Sequence, residues 1–250
     1  MGLPTIDLSQ FTIYCGVPTY DTQATFHTVQ ACHFPDGTKA MPDSVNSSLL
    51  CKTFNELWAR ALTGRRLHGF THFIMCHADV VPEPRFKSKL LEEIERLGAD
   101  MVSAVVPIKD HRGLTSTAID LGETRRRRLT MTEVYALPET FNFADVNRAF
   151  YMPEARGLLL NTGCWIADLR KPWVEKMFFR QQDWIEYDAH ENSATIQTIP
   201  EDWDWSRRLN DLGCSLYATR KVMLQHRGDM NYDNSRPWGS LATDTGTDNV

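Results

Sequence analysis

The stretch THFIMCHADVVPEP, residues 71–84, determines how the rest of the chain is interpreted. Its apolar part, HFIMC, is typical of a short buried strand, and the prolines that follow predict a turn. Between the two stand His77 and Asp79, two positions apart. A buried strand that ends in a histidine and an aspartate is either an ordinary polar strand end or part of a metal site.

Strand-like and helix-like segments alternate along the chain on both sides of this stretch. Apolar runs at 11–18 and 101–108 predict further buried strands, and the segments 46–62 and 84–98 carry apolar residues at helical spacing. Strands that are apolar throughout and alternate with helices indicate a parallel sheet covered on both faces. The predicted fold class is therefore α/β, with a mostly parallel central sheet flanked by helices.

The length and composition favour one soluble globular domain. The chain has 250 residues, of which 42% are hydrophobic and 24% charged, values typical of soluble domains. We expect one domain over residues 1–238 and a disordered tail over 239–250, where the sequence is small and polar. Because the net charge is -5, any contact with a nucleic acid would require a local basic patch.

The cysteines and the N-terminal sequence favour a cytoplasmic protein. The six cysteines are scattered singly without a C-x-x-C pair, which predicts free buried thiols in a reducing compartment. The first residues lack the basic start and apolar run of a signal peptide. No apolar stretch approaches the length of a membrane span, so we expect no membrane contact.

Three polar features are predicted to lie at the carboxyl ends of strands, where open α/β sheets bind their ligands. His77 and Asp79 form one, and His226 near the end of the last strand forms another. The third follows the first strand and consists of Pro18, Thr19, Tyr20 and Asp21. Histidine and aspartate together suit a divalent cation, and imidazole favours Mn2+ or another transition ion over Mg2+. The alternatives are a solvated strand end and a structural histidine.

The segment EDWDWSRRLNDLG predicts a helix with an acidic start. Trp205, Leu209 and Leu212 form its inward stripe, and Asp202 continues that stripe one turn earlier. Asp204 is expected on the polar side. An aspartate in line with the buried face either caps the helix or faces a cleft.

The chain has one strong basic cluster. It is the run Arg125, Arg126, Arg127 and Arg128, with Lys109, His111 and Arg112 upstream. The cluster is either a solvated loop or a loop that contacts the phosphates of a nucleotide or nucleic acid.

Four motifs in order along the chain resemble those of GT-A-fold, nucleotide-sugar-dependent glycosyltransferases. They read His77-Ala78-Asp79, Asn161-Thr162-Gly163, Glu201-Asp202 and His226-Arg227-Gly228. They are similar to the family's D-x-D motif, its N-T-G segment, its acidic pair at a helix start and its late H-x-G. The resemblance covers roughly residues 11–228, and its most specific part is the block 201–228. It implies a GT-A, Rossmann-like version of the predicted sheet.

The resemblance implies a role for each matching residue. Asp79 would be the principal metal ligand and His226 a further one, while Asp202, or less favourably Glu201, would be the catalytic base. His77 stands where the family has its first aspartate. That departure leaves three roles open for His77: a metal ligand, a ribose contact or neither.

The implied cofactor is Mn2+ or Mg2+, and the implied donor is a nucleoside-diphosphate sugar, most simply a UDP-sugar. The residues expected to bind this donor are Pro18, Thr19, Tyr20, Asp21, His77, Asn161 and Gly163. A single base without an obvious second nucleophile favours inversion at the anomeric carbon.

The strand sequence is also similar to phage-type transferases, some of which glycosylate hydroxymethylated pyrimidines in DNA. This resemblance implies hydroxymethylcytosine in phage DNA as an acceptor, with the arginine run on its backbone. Three alternatives stay open at this point. They are a saccharide or other small acceptor, a His/Asp metal-dependent phosphoester hydrolase or nucleotidyltransferase, and a non-catalytic module that binds sugar or nucleic acid.

Overall fold

The computed structural model describes residues 6–122, 124–188 and 190–239. Of the tail predicted to be disordered, only Gly239 falls within these ranges, so that prediction lies outside the described residues. No helix within the described ranges is long and apolar enough to cross a membrane.

The chain alternates strands and helices. Its helices are α1 (Phe26–His33), α2 (Leu50–His68), α3 (Phe86–Leu97), α4 (Met131–Ala136), α5 (Phe143–Phe150) and α6 (Glu201–Asp211). The strands of the first half are β1 (Thr12–Thr19), β2 (Lys39–Asn46), β3 (His72–Cys76), β4 (Val80–Pro82), β5 (Met101–Ala104), β6 (Leu114–Asp120) and β7 (Arg126–Thr130). Those of the second half are β8 (Thr140–Phe141), β9 (Gly157–Leu159), β10 (Cys164–Asp168), β11 (Gln182–Asp188), β12 (Ser193–Ile199), β13 (Leu216–Thr219), β14 (Leu224–Arg227) and β15 (Asn231–Asp233).

A seven-stranded, mostly parallel sheet forms the centre, in the order β2-β1-β3-β10-β5-β13-β8. β1 runs parallel to both β2 and β3, and β13 runs parallel to β5. β10 is antiparallel to its two neighbours β3 and β5, and β8 is antiparallel to β13. The sheet thus confirms the predicted mixed α/β class.

Apolar side chains cover both faces of this sheet because successive residues of a strand point to opposite sides. In β3, Phe73 and Met75 belong to the core that includes α2 and α6, whereas Ile74 and Cys76 belong to the core that includes α3. All five residues of β3 are buried. HFIMC therefore reads as continuously apolar because neither of its faces meets water.

The described chain also forms three smaller sheets. One of them has the strand order β15-β14-β4 and pairs the segment after β3 with the end of the described chain, so that His226 lies opposite Val80. A second sheet has the order β7-β6-β9, and β11 pairs with β12 in a hairpin. The first of these small sheets holds the late histidine next to the segment that follows β3.

Two parts of the sheet differ from what the sequence pattern indicates. β10 inserts antiparallel between β3 and β5, although alternating strands and helices predict parallel neighbours. β2, which contains Pro42, pairs with β1 over eight residues. Proline is tolerated there because β2 is the edge strand of the sheet.

Candidate functional site

The end of β3 turns sharply at the carboxyl edge of the sheet. The amide of His77 donates to the carbonyl of Gly163 at 2.8 Å, and the amide of Val80 donates to the carbonyl of His77 at 3.0 Å. These bonds close a turn over residues 77–80. The turn presents His77 and Asp79 at the edge where the sequence predicts a ligand.

β14 brings His226 to the same place. The amide of Arg227 donates to the carbonyl of Asp79 at 2.9 Å, and His226 Nε2 lies 3.4 Å from Asp79 Oδ2. His226 Nδ1 lies 2.8 Å from the carbonyl oxygen of Pro107. Because a carbonyl oxygen only accepts, Nδ1 carries a proton and Nε2 is turned toward Asp79. Nε2 donates to that carboxylate when the ring is charged and offers a lone pair when the ring is neutral. Metal-binding histidines are held in the same way.

Asp79 also forms an ion pair with Lys109, whose Nζ contacts Oδ2. Burial acts to raise the pKa of Asp79, but hydrogen bonds from His226 and Lys109 outweigh it and hold that pKa below its ordinary value. The stem of Lys109 lies over Gly228, where an added Cβ would be 3.1 Å from Lys109 Cδ. Glycine in the motif His226-Arg227-Gly228 therefore leaves room for the lysine to reach the carboxylate.

The ring of His77 is partly buried at the wall of the cleft, and its Nε2 is covered by protein. Burial lowers its pKa to about 4; the charge of Asp79 opposes this shift, and the smaller effects of His226 and Lys109 add to it, so the imidazole is neutral at pH 7. His77 Nε2 is buried without a hydrogen-bond partner among the described residues, and its ring centroid lies 5.0 Å from that of Phe54. A neutral imidazole with an unpartnered nitrogen is in the state that metal binding requires.

A cleft of about 460 Å3 connects this turn with the end of β1. Its lining includes Pro18, Thr19, Tyr20, Asp21, Leu50, His77 and Asp79. Tyr20 is 73% exposed, so an aromatic face is open for stacking. The structure thus brings the run 18–21 and the pair His77 and Asp79 to one cleft, as the shared strand edge predicts.

The Asn161-Thr162-Gly163 segment is a buried turn next to His77. Asn161 Nδ2 donates to the carbonyl of Ala104 at 2.8 Å, and Asn161 Oδ1 accepts from the amide of Gly163 at 3.0 Å. The Asn161 side chain therefore shapes the turn that receives the amide of His77. Contact of Asn161 or Gly163 with a nucleotide sugar stays a prediction.

The start of α6 carries two partly buried carboxyl groups, and Oδ1 of Asp202 is fully covered. Burial and the charge of Glu201 raise the pKa of Asp202 to about 8, and Arg128 opposes this shift. Burial also raises the pKa of Glu201. Asp202 Oδ1 has no hydrogen-bond partner among the described residues. The N-cap residue of α6 is Pro200, and no side chain forms a capping hydrogen bond there. Asp202 is therefore not a helix cap.

α6 begins beside α2, which lines the cleft. Burial and the charge of Glu201 raise the pKa of Cys51, which follows Leu50 of the cleft lining. The acidic start of α6 and the cleft are thus on neighbouring parts of the surface. The assignment of Asp202 or Glu201 as a base stays a prediction.

Asp204 of α6 and Leu212, which directly follows the helix, differ from the helical pattern. Asp204 is only 3% exposed, although the pattern puts it on the polar side, while Leu212 is 43% exposed. Asp204 is buried because Arg180 and Arg208 both pair with it, at 3.0 and 2.8 Å. Arg180 is far away in sequence, so the pattern of the helix alone could not indicate this pair.

Three of the four clustered arginines lie in β7 rather than in a loop. Arg126 and Arg128 point to one face, where both stack on Trp203 with guanidinium carbons 4.3 and 4.7 Å from the ring centroid. Arg127 points to the other face and pairs with Glu133. Arg125 precedes the strand and is exposed. Contact of the run with phosphate stays a prediction.

A cluster that the sequence analysis missed lies at the opposite end of β3. His72, Glu95 and Asp168 bring one ligand atom each within 4.8 Å of one another, which could hold a metal ion. His72 Nε2 is 3.0 Å from Glu95 Oε1. The guanidinium of Arg170 pairs with the carboxylates of both Glu95 and Asp168. It therefore already supplies a positive charge to the two carboxylates that a metal ion would need. The three members of the cluster are distant in sequence and form no motif.

The comparisons with known proteins agree with the fold and give no family. No family model and no curated protein matches the sequence. Among solved structures, A197 from STIV has a TM-score of 0.54 at 12% identity, over 94% of this chain and 96% of that one. At this identity the likeness shows a shared fold alone.

Two further solved structures are more distant. A protein provisionally assigned as a UDP-N-acetylglucosamine pyrophosphorylase from Entamoeba histolytica has a TM-score of 0.44 at 8% identity, over 85% of this chain and 74% of that one. HddC from Yersinia pseudotuberculosis has a TM-score of 0.35 at 11% identity, over 88% and 71%. These two scores are too low to support an argument about this chain.

The contact between Lys109 and Asp79 gives a first prediction. We expect Lys109→Met to strengthen Mn2+ binding about two- to fivefold, because the ammonium competes for the carboxylate in a partly exposed pair. Asp79→Ala should abolish binding, and Lys171→Met, at the other end of the sheet, should leave it unchanged. Titration calorimetry with Mn2+ measures all three. Weaker binding by the Lys109 variant would show that the lysine supports the site rather than competes for it.

The buried carboxyl of Asp202 predicts a pH-dependent cost in stability. Below about pH 3, a unit under the ordinary aspartate pKa of about 3.9, this group is largely protonated in both the folded and the unfolded chain. As the pH rises toward about 8 only the unfolded chain loses the proton, so stability falls. Asp202→Asn should therefore become progressively more stable than the wild type over that range, by at most about 1.4 kcal/mol per pH unit.

Urea unfolding at several pH values measures this difference in the free energy of unfolding. The matched control is Asp211→Asn, since Asp211 is in the same helix and exposed. We expect the curve of Asp211→Asn to run parallel to that of the wild type. A parallel curve for Asp202→Asn as well would contradict the raised pKa.

Proposed function

We propose that this protein is a metal-dependent glycosyltransferase that moves a sugar from a nucleoside-diphosphate sugar to an acceptor hydroxyl. On this proposal the central sheet is of the GT-A kind. The observation that carries the proposal is the meeting of Asp79, His226 and the cleft residues 18–21 at one edge of the sheet. The start of α6 lies near Cys51 of α2, next to Leu50 of the cleft lining, while Glu201 and Asp202 themselves do not line the cleft.

The residues at the turn fit a divalent cation. Asp79 supplies an ionised carboxylate, His226 an oriented Nε2 that has a lone pair when the ring is neutral, and His77 a buried nitrogen without a partner among the described residues. Asp79 and His226 would hold Mn2+ or Mg2+, and His77 is a third candidate ligand. The bound cation supplies positive charge that stabilises a leaving diphosphate.

The cleft suits a nucleotide. Tyr20 offers an open ring on which a base could stack. Asp21, exposed beside it, can accept hydrogen bonds from ribose hydroxyls. The cleft volume of about 460 Å3 lies within the range of roughly 300–1,000 Å3 that is typical of small-molecule sites.

Asp202 can serve as the general base. The acceptor oxygen attacks the anomeric carbon, the bond from that carbon to the diphosphate oxygen breaks, and the diphosphate leaves with the electron pair. The proton of the acceptor hydroxyl passes to the Asp202 carboxylate. A carboxyl group with a raised pKa is a stronger base once it is ionised. Direct displacement of this kind inverts the anomeric configuration.

For the acceptor we keep hydroxymethylcytosine in DNA as a proposal, with a saccharide as the alternative. The contacts of the arginine run limit which of its members could bind a DNA phosphate. Arg126 and Arg128 stack on Trp203, and Arg127 pairs with Glu133. Arg125 is the exposed member of the run. It is therefore the residue through which a phosphate contact is best tested.

The proposed function predicts release of a nucleoside diphosphate. We expect the wild type, incubated with Mn2+ and a panel of nucleotide sugars, to release it faster when the acceptor is present. Hydroxymethylcytosine DNA and simple saccharides are the acceptors to compare. Asp202→Asn should bind the nucleotide with unchanged affinity and lose about 100-fold or more in turnover, the usual contribution of a general base.

The matched control for Asp202→Asn is Glu201→Gln, because Glu201 neighbours Asp202 and is not the preferred base. Full activity of Asp202→Asn would refute the base assignment. Release of a monophosphate from phosphodiesters would instead indicate a hydrolase. No release with any donor would leave a binding module.

The raised pKa of Asp202 predicts the pH dependence of turnover. Only the ionised carboxylate accepts a proton, so we expect kcat/KM to rise between pH 6 and about 8 and to level off above. A profile already flat from pH 6 would mean that the base is a different group. The profile is measured with saturating Mn2+, which separates the ionisation of the base from metal binding.

The DNA proposal predicts a phosphate contact at Arg125. We expect Arg125→Ala to weaken binding to DNA of any sequence and to reduce the slope of log affinity against log salt by about 0.9, the value for one lost phosphate contact. Arg66→Ala is the control, because Arg66 is also well exposed and lies at the end of α2. Equal slopes for the wild type and Arg125→Ala would remove the arginine run from the acceptor site.

A further inference from the structure

The hairpin of β11 and β12 stands apart from the other sheets. Its two strands pair only with each other, residue by residue and without a register shift. Among the described residues, neither strand has a backbone hydrogen bond to any other segment. An isolated two-stranded hairpin is marginally stable in water, and further strands normally support it. The hairpin therefore has two open edges and lacks the neighbours that such a unit usually has.

One face of the hairpin is apolar and exposed. Ile185 lies directly opposite Ile196, and Tyr187 lies opposite Ala194. Because alternate residues of a strand share a face, these four side chains form one surface. Ile185, Tyr187 and Ile196 are 60, 78 and 59% exposed. Contiguous apolar side chains on an exposed face are typical of an interaction surface.

The two open edges differ in charge. β11 carries Asp183, Glu186 and Asp188, whereas β12 reads SATIQTI and contains no charged residue, proline or glycine. Proteins protect exposed strand edges with charges, prolines or bulges. The acidic side chains protect β11 in this way, but β12 has none of these features. The edge of β12 is therefore the one that can accept another strand.

The base of the hairpin is fixed to the body of the protein. Gln182 Nε2 donates to the carboxylate of Asp204 in α6. Ile199 packs against the small cluster of Ala118, Leu159 and Trp203. In β12 the exposed residues are those toward the tip, 193–196. The open edge is thus held in a defined orientation and projects away from its attachment.

We propose that β12 pairs antiparallel with β12 of a second copy of this chain, about a two-fold axis at Ile196. The four strands would then follow the order β11-β12-β12-β11. Such an interface is isologous, since the same strand is used by both copies. Ile185 and Ile196 of the two copies would form one row across the apolar face. Both unprotected edges are covered in a single contact.

The charge pattern favours a second copy over other occupants. The described hairpin residues include no lysine or arginine, so a phosphate backbone would meet carboxylates without a compensating cation. Pairing β12 with itself brings no like charges face to face, which would be destabilising. Pairing β11 with itself would bring the three carboxylates of each copy together. Of the two edges, only that of β12 is suited to self-pairing.

The dimer does not depend on the proposed function, because neither Ile196 nor the edge of β12 belongs to the donor cleft or to the metal residues. Its test is a measurement of mass, not of turnover. We expect sedimentation equilibrium over roughly 1–100 µM, the range for a small interface, to show a mass that rises from 28.7 kDa toward twice that value.

Substitution at the axis gives the decisive variants. Ile196→Lys and Ile196→Glu each place two like charges opposite one another, so we expect each alone to stay monomeric at every concentration. Mixing the two should restore the dimer, because a lysine then faces a glutamate. Glu186→Lys is the control on β11 and should dimerise as the wild type does. Circular dichroism and the Tm check that the monomeric variants remain folded.

A disulfide reports the register of the two copies. Ile196→Cys would place the new thiol directly opposite its own copy, close enough for a cross-link. Tyr187→Cys is the control, since in the proposed sheet the two outer strands are separated by three strand spacings, roughly 14 Å. After mild oxidation, a non-reducing gel should show a dimer band above the wild-type background for Ile196→Cys alone.

A wild type that is monomeric up to about 100 µM overturns the proposal. A dimer that survives Ile196→Lys also overturns it, because the contact would then lie elsewhere. If the variants Ile196→Lys and Ile196→Glu are folded but do not associate when mixed, the axis is not at Ile196 and the proposed register is wrong. Recovery of the dimer in the mixture cannot come from a folding defect, so it supports the interface directly.

Discussion

The stack of Phe179 on Trp205 is the contact on which the arrangement of the site depends. The two ring centroids are 4.0 Å apart and the planes differ by 6°. Trp205 also packs against Trp58, Trp165 and Trp173, at 5.2, 5.8 and 6.2 Å. Through these rings α6 is fastened to α2 and to the central strand β10. Phe54 then continues the series from Phe179 to His77, at 5.2 and 5.0 Å, so the position of α6 is tied to the turn that follows β3.

The energies explain why this cluster can tolerate unbonded polar atoms. The indole N–H groups of Trp58, Trp165 and Trp205 have no hydrogen-bond partner among the described residues. Each such group costs about 1–3 kcal/mol. Burying about 200 Å2 of an aromatic side chain contributes about 5 kcal/mol at 25 cal/mol per Å2. Packing therefore outweighs the polar cost, and these rings hold α6 against the sheet together with the ion pairs of Asp204.

Part of this site could be predicted from the sequence, because strand ends follow from local patterns. The run HFIMC predicts a buried strand. The rule that ligands bind at the carboxyl ends of strands then predicts that His77, Asp79 and residues 18–21 lie close together. His226 could be included because β14 was visible as a late apolar run. The direction of β10 could not be predicted, since an apolar run of five residues reads the same in a parallel and an antiparallel strand. The stacking of Arg126 and Arg128 on Trp203 and the pairing of Arg180 with Asp204 join segments far apart in sequence, which no local pattern reports.

The place of β10 has a consequence for how the chain folds. β3 and β5 are separated by 24 residues in sequence, but they do not pair with each other, because β10 lies between them. The left part of the sheet, β2-β1-β3, and the right part that starts at β5 therefore join only after residues 164–168 have left the ribosome. Such late, long-range pairing raises contact order and slows folding. Until then the edges of β3 and β5 are open, and this nascent chain would be at its most aggregation-prone in the interval between the synthesis of β5 and that of β10.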